Sequence, residues 1–306
     1  MAFRVLVSDP LAEDAVVAMR EAGLSIDEKT DLSAEQLVET IPEYDAIVVR
    51  SATKVRKEAI DAAAKLKLIV RAGVGLDNID VDYATDKGIS VRNTPAASSN
   101  SVAELALGHI ISSARHIGRG TASLKSGKWE KKQLKGVEIA GKTLGVIGIG
   151  RIGSLLAQKA AALDMHVLAC DTCVAKSPVP GDVEMVSLEE LLQLSDFISL
   201  HTPYDPAQGS VIGEKELAHV KHSVRIVNCA RGGVIDEEAL SKALADGRVA
   251  AAALDVYSDE PPQAGLPLLA HENLSLTPHI GAATVEAQGR VGEEAAQIVI
   301  EFAQTF

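Results

Sequence analysis

Three residues in the second half of the chain have the types that proton and carboxylate chemistry needs, and each follows an apolar run read as a strand. Arg231 stands in Val227-Asn-Cys-Ala-Arg231-Gly-Gly, Glu260 in Leu254-Asp-Val-Tyr-Ser-Asp-Glu260-Pro-Pro262, and His279 in Thr277-Pro-His279-Ile-Gly-Ala282. A guanidinium offers a planar, bidentate fork to a carboxylate. An imidazole exchanges protons near neutral pH, and a neighbouring carboxylate holds the ring and stabilises its protonated form. Taken singly, Arg231 also reads as a surface cation, Glu260 as a loop acid and His279 as a satisfied loop histidine. Taken together, all three leave one edge of the same predicted sheet, where loops after parallel strands carry ligands.

A cofactor for such a set is signalled upstream. Leu144-Gly-Val-Ile-Gly148-Ile-Gly150-Arg-Ile-Gly153 places G-x-G-x-x-G directly after an apolar strand and at the start of a helix predicted over 152–163. Gly148 permits the tight turn, Gly150 lets backbone approach a pyrophosphate, and Gly153 lets helix and strand pack closely, while the helix N-terminus offers free N–H groups to the anion. The next strand ends at Asp171, about twenty residues on, where a carboxylate can accept from the adenosine ribose hydroxyls. It would repel a 2′-phosphate, so NAD is favoured over NADP. The plain alternative is that the glycines only shape a turn and Asp171 caps a strand. Turn, acid and the trio together predict hydride transfer on a small anionic 2-hydroxy acid, a reaction that also needs its hydroxyl proton removed and its carboxylate held.

The remaining chemistry-bearing residues are weaker. His201, in Ser199-Leu-His-Thr-Pro203, follows a strand of the same sheet and could line the cofactor crevice, whereas His109 and His116 fall on one predicted long helix, His166 in a strand, and His219 and His222 beside a polar turn. Cys170 and Cys173 form a C-x-x-C pair with no second Cys/His pair to complete a zinc site, so no metal is predicted. The three cysteines read as reduced and structural. A formal net charge of −12 repels nucleic acid and anionic membrane, so each arginine near a strand end is informative: Arg50, Arg71 and Arg231. No apolar stretch reaches the roughly 18 residues of a membrane span, and the N-terminus lacks the pattern of a secretory signal; a soluble, cytoplasmic protein is expected.

These residues need elements to position them, and 306 residues with 47% hydrophobic types suggest two domains. Short β-branched runs at 3–7, 46–49, 68–70 and 89–91 alternate with helical stretches at 12–22, 34–40 and 56–64, the pattern of a parallel α/β sheet. Ser33 with Gln36 is a capping box for the second helix. After the loop Asn93-Thr-Pro-Ala-Ala-Ser-Ser-Asn100, a long helix over 102–116 opens a second series with six strands, at 143–147, 166–170, 197–200, 225–227, 250–254 and 274–276. A final helix over 284–302 is too short to fold alone. The expected fold is α/β, a Rossmann-type doubly wound sheet at 98–282 inserted into a smaller flavodoxin-like substrate-binding domain made of 1–97 and 283–306, with hinges near Ala97 and Ala283.

The order and spacing of these motifs, with Arg71-Ala-Gly-Val-Gly-Leu-Asp-Asn-Ile-Asp80, Gly127-Lys-Trp-Glu-Lys131 and Asn228-Cys-Ala-Arg-Gly-Gly, resemble the D-2-hydroxyacid dehydrogenase family over nearly the whole chain. The resemblance implies a cleft between the two domains, with His279 as acid/base, Glu260 as its partner and Arg231 binding substrate. It implies NAD contacts at Arg151 and Ile152 on the glycine turn, Asp171 at the ribose, Thr202 and Pro203 on the adenine side, and Cys229, Ala230 and Asp255 near the nicotinamide. Val74, Arg231, His279, Gly281 and Ala282 complete that set. Arg50, Ser51, Arg71, Gly73, Asn100, Arg231 and His279 are implied near the substrate, and homodimers joined through the NAD domains are implied for the assembly.

The same resemblance implies oxidation of D-3-phosphoglycerate to 3-phosphohydroxypyruvate, the entry to serine synthesis, with reduction of glyoxylate or hydroxypyruvate as the second enzyme reading. An NAD-dependent dimeric scaffold of the corepressor type is a third. Two positions depart from the phosphoglycerate-oxidising pattern: Val74 stands where a Thr is frequent, and Lys131 replaces an Arg, losing a bidentate phosphate contact. Ending after the returning helix, the chain reads as a catalytic core without an appended regulatory domain, so feedback inhibition by serine is not expected.

Overall fold

The computed structural model describes residues 3–181 and 183–306, which divide into two compact units: the chain up to Ser99 together with Ala282–Phe306, and Asn100–Gly281. The first unit has five strands, β1 (Arg4–Val7), β2 (Ser25–Glu28), β3 (Ala46–Val49), β4 (Leu68–Arg71) and β5 (Ser90–Asn93). All pair in parallel in the order β2-β1-β3-β4-β5, the flavodoxin-like arrangement. Its helices are α1 (Glu13–Glu21), α2 (Ala34–Thr40), α3 (Lys57–Ala62) and α4 (Val81–Asp86). The capping box forms as the sequence predicts: the Ser33 side chain accepts from Gln36 N–H at 3.2 Å and Ser33 N–H donates to Gln36 Oε1 at 2.9 Å.

The second unit begins with α5 (Ser99–Arg115) and α6 (Ile117–Lys125), followed by β6 (Thr143–Ile147), α7 (Arg151–Ala161), β7 (His166–Cys170), β8 (Val183–Met185), α8 (Leu188–Leu194), β9 (Phe197–Leu200), α9 (Glu214–Leu217), β10 (Val224–Asn228), α10 (Glu237–Ala245), β11 (Val249–Leu254) and β12 (Leu274–Leu276). Its seven strands are parallel in the order β12-β11-β10-β9-β6-β7-β8. This is the doubly wound order with one strand added at an edge, and the strand order reverses between β6 and β9. One apolar layer joins α5 and α7 to the sheet through Ala103, Ala106, Ile110, Leu156 and Phe197, and another buries Leu191, Ile198, Ile226 and Leu240. The last helix, α11 (Val285–Ala303), returns to the first unit. It packs with α1 through Ala15, Met19, Val291, Ala295 and Val299.

Three sequence readings need correction. The first sheet has five strands rather than four and the second seven rather than six, because Ser-Ile-Asp-Glu at β2 and Val-Glu-Met at β8 sit at sheet edges, where no continuous apolar run is demanded. β5 is half-exposed, not buried, for the same reason. His109 and His116 do not share a helix: His116 takes a left-handed backbone, φ 54°, and separates α5 from α6. Among the described residues no helix is long and apolar enough to cross a membrane, and no cluster of three or more His, Cys, Asp or Glu could hold a metal ion.

Candidate active site

β10, β11 and β12 are consecutive in the second sheet, with Asn228 opposite Leu254 and Leu254 opposite Leu276. Arg231, Glu260 and His279 therefore leave three adjacent carboxyl ends. Two of them touch. His279 Nδ1 lies 2.6 Å from Glu260 Oε2, and Glu260 Oε1 accepts the Tyr257 N–H at 3.1 Å. Burial pushes the Glu260 carboxyl upward, but the His279 hydrogen bond, the Tyr257 N–H and the nearby His279 and Arg231 charges outweigh it and hold the group below the usual range. With Nδ1 committed to the carboxylate, Nε2 is the nitrogen left for a reacting proton.

The Arg231 loop is tied down by a residue the sequence reading passed over. Asn228 Oδ1 accepts from Ala230 N–H at 3.0 Å and its Nδ2 donates to the Arg231 carbonyl at 2.9 Å, while Arg231 Nη1 donates to the Ala230 carbonyl at 2.7 Å. Cys229 and Ala230 are buried at this strand end, and burial raises the Cys229 thiol far above its usual range. Such a thiol is inert. Gly232 lets the loop pass the backbone of Tyr257 and Ser258 closely, because a Cβ there would meet the Tyr257 carbonyl and, at 2.7 Å, Ser258 N.

Asp255 follows β11 and points inward. Its Oδ1 accepts from Thr277 Oγ1 at 2.6 Å and Ile280 N–H at 2.8 Å, and its Oδ2 from Gly281 N–H at 2.8 Å. It thus brackets the His279 loop on both sides. His279 itself has φ 53°, a region that costs a non-glycine residue roughly 1–3 kcal/mol unless its surroundings enforce it.

The glycine turn follows β6, beside the point where strand order reverses. Gly148 has φ 92°, and a Cβ there would lie 2.7 Å from the His201 carbonyl; one at Gly153 would strike the Gly148 carbonyl. At Gly150 nothing lies within 4 Å of the added carbon. Two glycines thus serve close packing, and the third keeps open space at the N-terminus of α7, where Arg151 and Ile152 are the first residues. Asp171 directly follows β7 and already holds the turn, accepting from Ile149 N–H at 2.9 Å, and from Cys173 N–H at 2.8 Å. Across the reversal, His201, Thr202 and Pro203 leave β9. Thr202 Oγ1 and His201 Nδ1 are buried without a hydrogen-bond partner in the protein, although Nε2 of His201 meets Ser199 Oγ at 2.9 Å. A glycine cradle, a helix N-terminus, an acid and orphaned polar atoms on the adjoining strand end fit a dinucleotide.

In the first unit, Arg50 and Arg71 stand on adjacent strand ends, since Arg71 lies opposite Val49. Asp9 clamps the Arg50–Thr53 loop: it accepts the Arg50 N–H and, at 2.9 Å, the Thr53 hydroxyl. Burial lowers the Arg50 pKa against the opposing pull of Asp9. Ser51 is exposed beside it. The Arg71 guanidinium fills the space where a Gly73 side chain would be, and the Val74 carbonyl accepts from Asn93 Nδ2 at 2.6 Å. The Ala282 carbonyl accepts from Gln288 Nε2 at 2.8 Å. Asn100, in the second unit, lies on the first turn of α5 and donates to Glu104 at 2.7 Å. Asp9, Asn228 and Thr277 are the positioning residues that sequence reasoning missed. An acid, amide or hydroxyl at or just past the end of an apolar strand was the available signal.

Residues 107–281 match the family described as D-isomer specific 2-hydroxyacid dehydrogenase, NAD binding domain. The chain belongs to the D-2-hydroxyacid dehydrogenases. It is 49% identical over 291 residues to a D-3-phosphoglycerate dehydrogenase of Methanocaldococcus jannaschii, covering 94% of this chain and 55% of that protein. It is 50% identical over 295 residues to a hydroxypyruvate reductase of Thermotoga maritima, covering 95% of each. The chain therefore spans little more than half the length of the phosphoglycerate dehydrogenases it matches. A D-lactate dehydrogenase of Aquifex aeolicus, solved in complex with NAD and lactic acid, superposes with a TM-score of 0.86 at 31% identity, covering 99% of this chain and 96% of the other. The family's NAD-binding domain is the unit that carries the glycine turn, and both sheets have the fold of the family's solved structures.

Proposed function

We propose that this chain oxidises D-3-phosphoglycerate to 3-phosphohydroxypyruvate with NAD, and runs the reverse reduction. The observation that carries the chemistry is the Glu260–His279 pair at 2.6 Å, formed across the two strand ends that follow the one carrying Arg231. In the oxidation, neutral His279 takes the C2 hydroxyl proton on Nε2, Glu260 stabilises the imidazolium that forms, and Arg231 holds the carboxylate. Bound NAD would supply the acceptor for the hydride leaving C2. Gly148, Gly150, Arg151, Ile152 and Gly153 would hold its pyrophosphate, Asp171 its ribose, Thr202 and Pro203 its adenine side, and Val74, Cys229, Ala230, Asp255, Gly281 and Ala282 the remainder. The reading gives the phosphate to Arg50 and Arg71, with Ser51, Gly73 and Asn100 beside the substrate. It makes the unit of residues up to 99 and from 282 the substrate-binding domain.

The second reading, reduction of glyoxylate or hydroxypyruvate, uses the same Arg231, Glu260 and His279. The hydroxypyruvate reductase match across 95% of both chains favours it. A substrate panel with NAD and NADP separates the two when repeated on Arg50→Ala. The phosphate reading expects the variant to lose the preference for phosphorylated over unphosphorylated acids, and an unchanged preference sinks it. The reading also makes the protein a cytoplasmic homodimer in serine synthesis, joined through its NAD-binding domains. Trp129, 79% exposed, with Leu124 and Ile117 exposed on α6, supports that contact, and sedimentation of a Trp129→Glu variant tests it.

A further inference from the structure

A chain of buried polar side chains runs behind the loop that carries His279. His109, on α5 and 3% exposed, places Nδ1 3.1 Å from Ser275 Oγ and Nε2 3.0 Å from Thr277 Oγ1. Thr277 Oγ1 donates to Asp255 Oδ1, and Asp255, 1% exposed, also accepts the N–H groups of Ile280 and Gly281. Ser275 Oγ lies 3.0 Å from Ser112 Oγ, back on α5. Proton counting fixes one nitrogen of the ring. A hydroxyl has a single proton, and the Asp255 carboxylate takes that of Thr277. Thr277 Oγ1 can then only accept from His109, so Nε2 carries a hydrogen.

We propose that His109 is a positioning residue for His279, acting through Thr277 and Asp255. The Nε2–H of His109 fixes the Thr277 hydroxyl, which points its proton at Asp255. Asp255 in turn holds the two amides that follow His279. A hydroxyl donor whose own oxygen accepts a hydrogen bond is polarised and binds the carboxylate more firmly. That clamp counters the left-handed backbone of His279, φ 53°, and keeps Nδ1 at Glu260. Replacing His109 by an apolar side chain frees the Thr277 hydroxyl to turn away, and the 277–281 loop can then relax.

The catalytic arm of this proposal rests on the reading of His279 as the acid/base; the structural arm does not. The experiment uses the full chain, with kinetics and amide exchange on His109→Leu and His109→Gln. His109→Leu is expected to lower kcat about tenfold through misplacement of the imidazole, with the KM for NAD unchanged within about twofold, and to speed exchange at Ile280 and Gly281. His109→Gln, whose amide N–H can still reach Thr277, is expected to restore most of both. Exchange unchanged in His109→Leu overturns the proposal, as does a loss of kcat that His109→Gln fails to rescue. If the leucine variant does not fold, nitrogen-15 NMR of the native protein decides: Nε2 of His109 must be protonated, and a bare Nε2 overturns the relay. A native chain that turns over no 2-hydroxy acid refutes the proposed function and leaves the exchange and NMR readouts of the relay standing.

Discussion

Glu260 is bound at both oxygens, by Nδ1 of His279 at 2.6 Å and by the N–H of Tyr257 at 3.1 Å, so one carboxylate fixes both the orientation of the imidazole and its own. The Tyr257 hydroxyl extends the same bracing by donating to the Thr277 carbonyl at 3.0 Å. Burial, with the charges of Asp255, Glu260 and Glu237 adding to it, raises that phenol to about 12, so it remains a donor at any working pH.

Glu260→Gln keeps a side chain of the same shape and removes the charge. On the proposed mechanism, the amide cannot stabilise the imidazolium that would form as His279 takes the substrate proton. We expect kcat to fall by roughly two orders of magnitude, the scale of general acid–base assistance, with the KM for NAD unchanged. Because the Glu260 carboxyl is held below its ordinary value, the native pair keeps its charge at Glu260 further into the acidic range than a free carboxylate would. Steady-state rates on both proteins check this. A variant with native kcat removes Glu260 from the mechanism.

Arg231→Lys retains the charge and loses the fork. On the proposed reading, a point charge would replace two parallel hydrogen bonds to the substrate carboxylate. The specificity constant for the hydroxy acid should drop about 10- to 100-fold, equivalent to roughly 1.5–3 kcal/mol for hydrogen bonds to a charged group, while NAD affinity measured by fluorescence stays native. Equal losses for acid and cofactor would show that the Arg231 loop acts on the nucleotide instead.

The glycines separate packing from ligand space. A Cβ on Gly153 would strike the Gly148 carbonyl, so Gly153→Ala should destabilise the protein by about 1–3 kcal/mol, as overpacking of a tight contact does. Gly150→Ala meets open space and an ordinary φ of −69°, so its melting temperature should remain native. Its NAD affinity should nevertheless fall, because the new methyl sits where a pyrophosphate must approach the α7 N–H groups. Native NAD binding by Gly150→Ala would move the cofactor off this turn.

Much of this was legible in the sequence, for a physical reason. Strands buried on both faces, such as Ala46–Val49 and Phe197–Leu200, the latter interrupted by Ser199 alone, carry apolar runs and were placed to the residue. Edge strands Ser25–Glu28 and Val183–Met185 carry no such run and were missed. Arg231, Glu260 and His279 were legible because each follows a strand. What holds them was not. Asp171 read as a ribose acceptor, yet it is already bonded to Ile149 N–H, and side-chain-to-backbone bonds leave no periodic trace. His109 read as one residue of a helix because its partner Thr277 lies 168 residues away in sequence.

His201 supplies a prediction on stability. Its Nδ1 is buried without a partner, and burial pushes the imidazole down to about 4. The ordinary value near 6.5 applies to the unfolded chain, so between these limits the unfolded state takes up a proton that the folded state refuses. Stability is therefore complete above pH 6.5 and declines as pH falls toward 4. The full difference corresponds to about 3 kcal/mol, and because His201 as a residue is only partly buried this is reduced to about 1–2 kcal/mol. His201→Gln, with no titrating ring, should lose less melting temperature between pH 7 and pH 4.5 than the native chain. His109, also lowered by burial, is present in both proteins and so cancels in the comparison. Melting curves that fall in parallel for the two would show that His201 is solvated in the folded state.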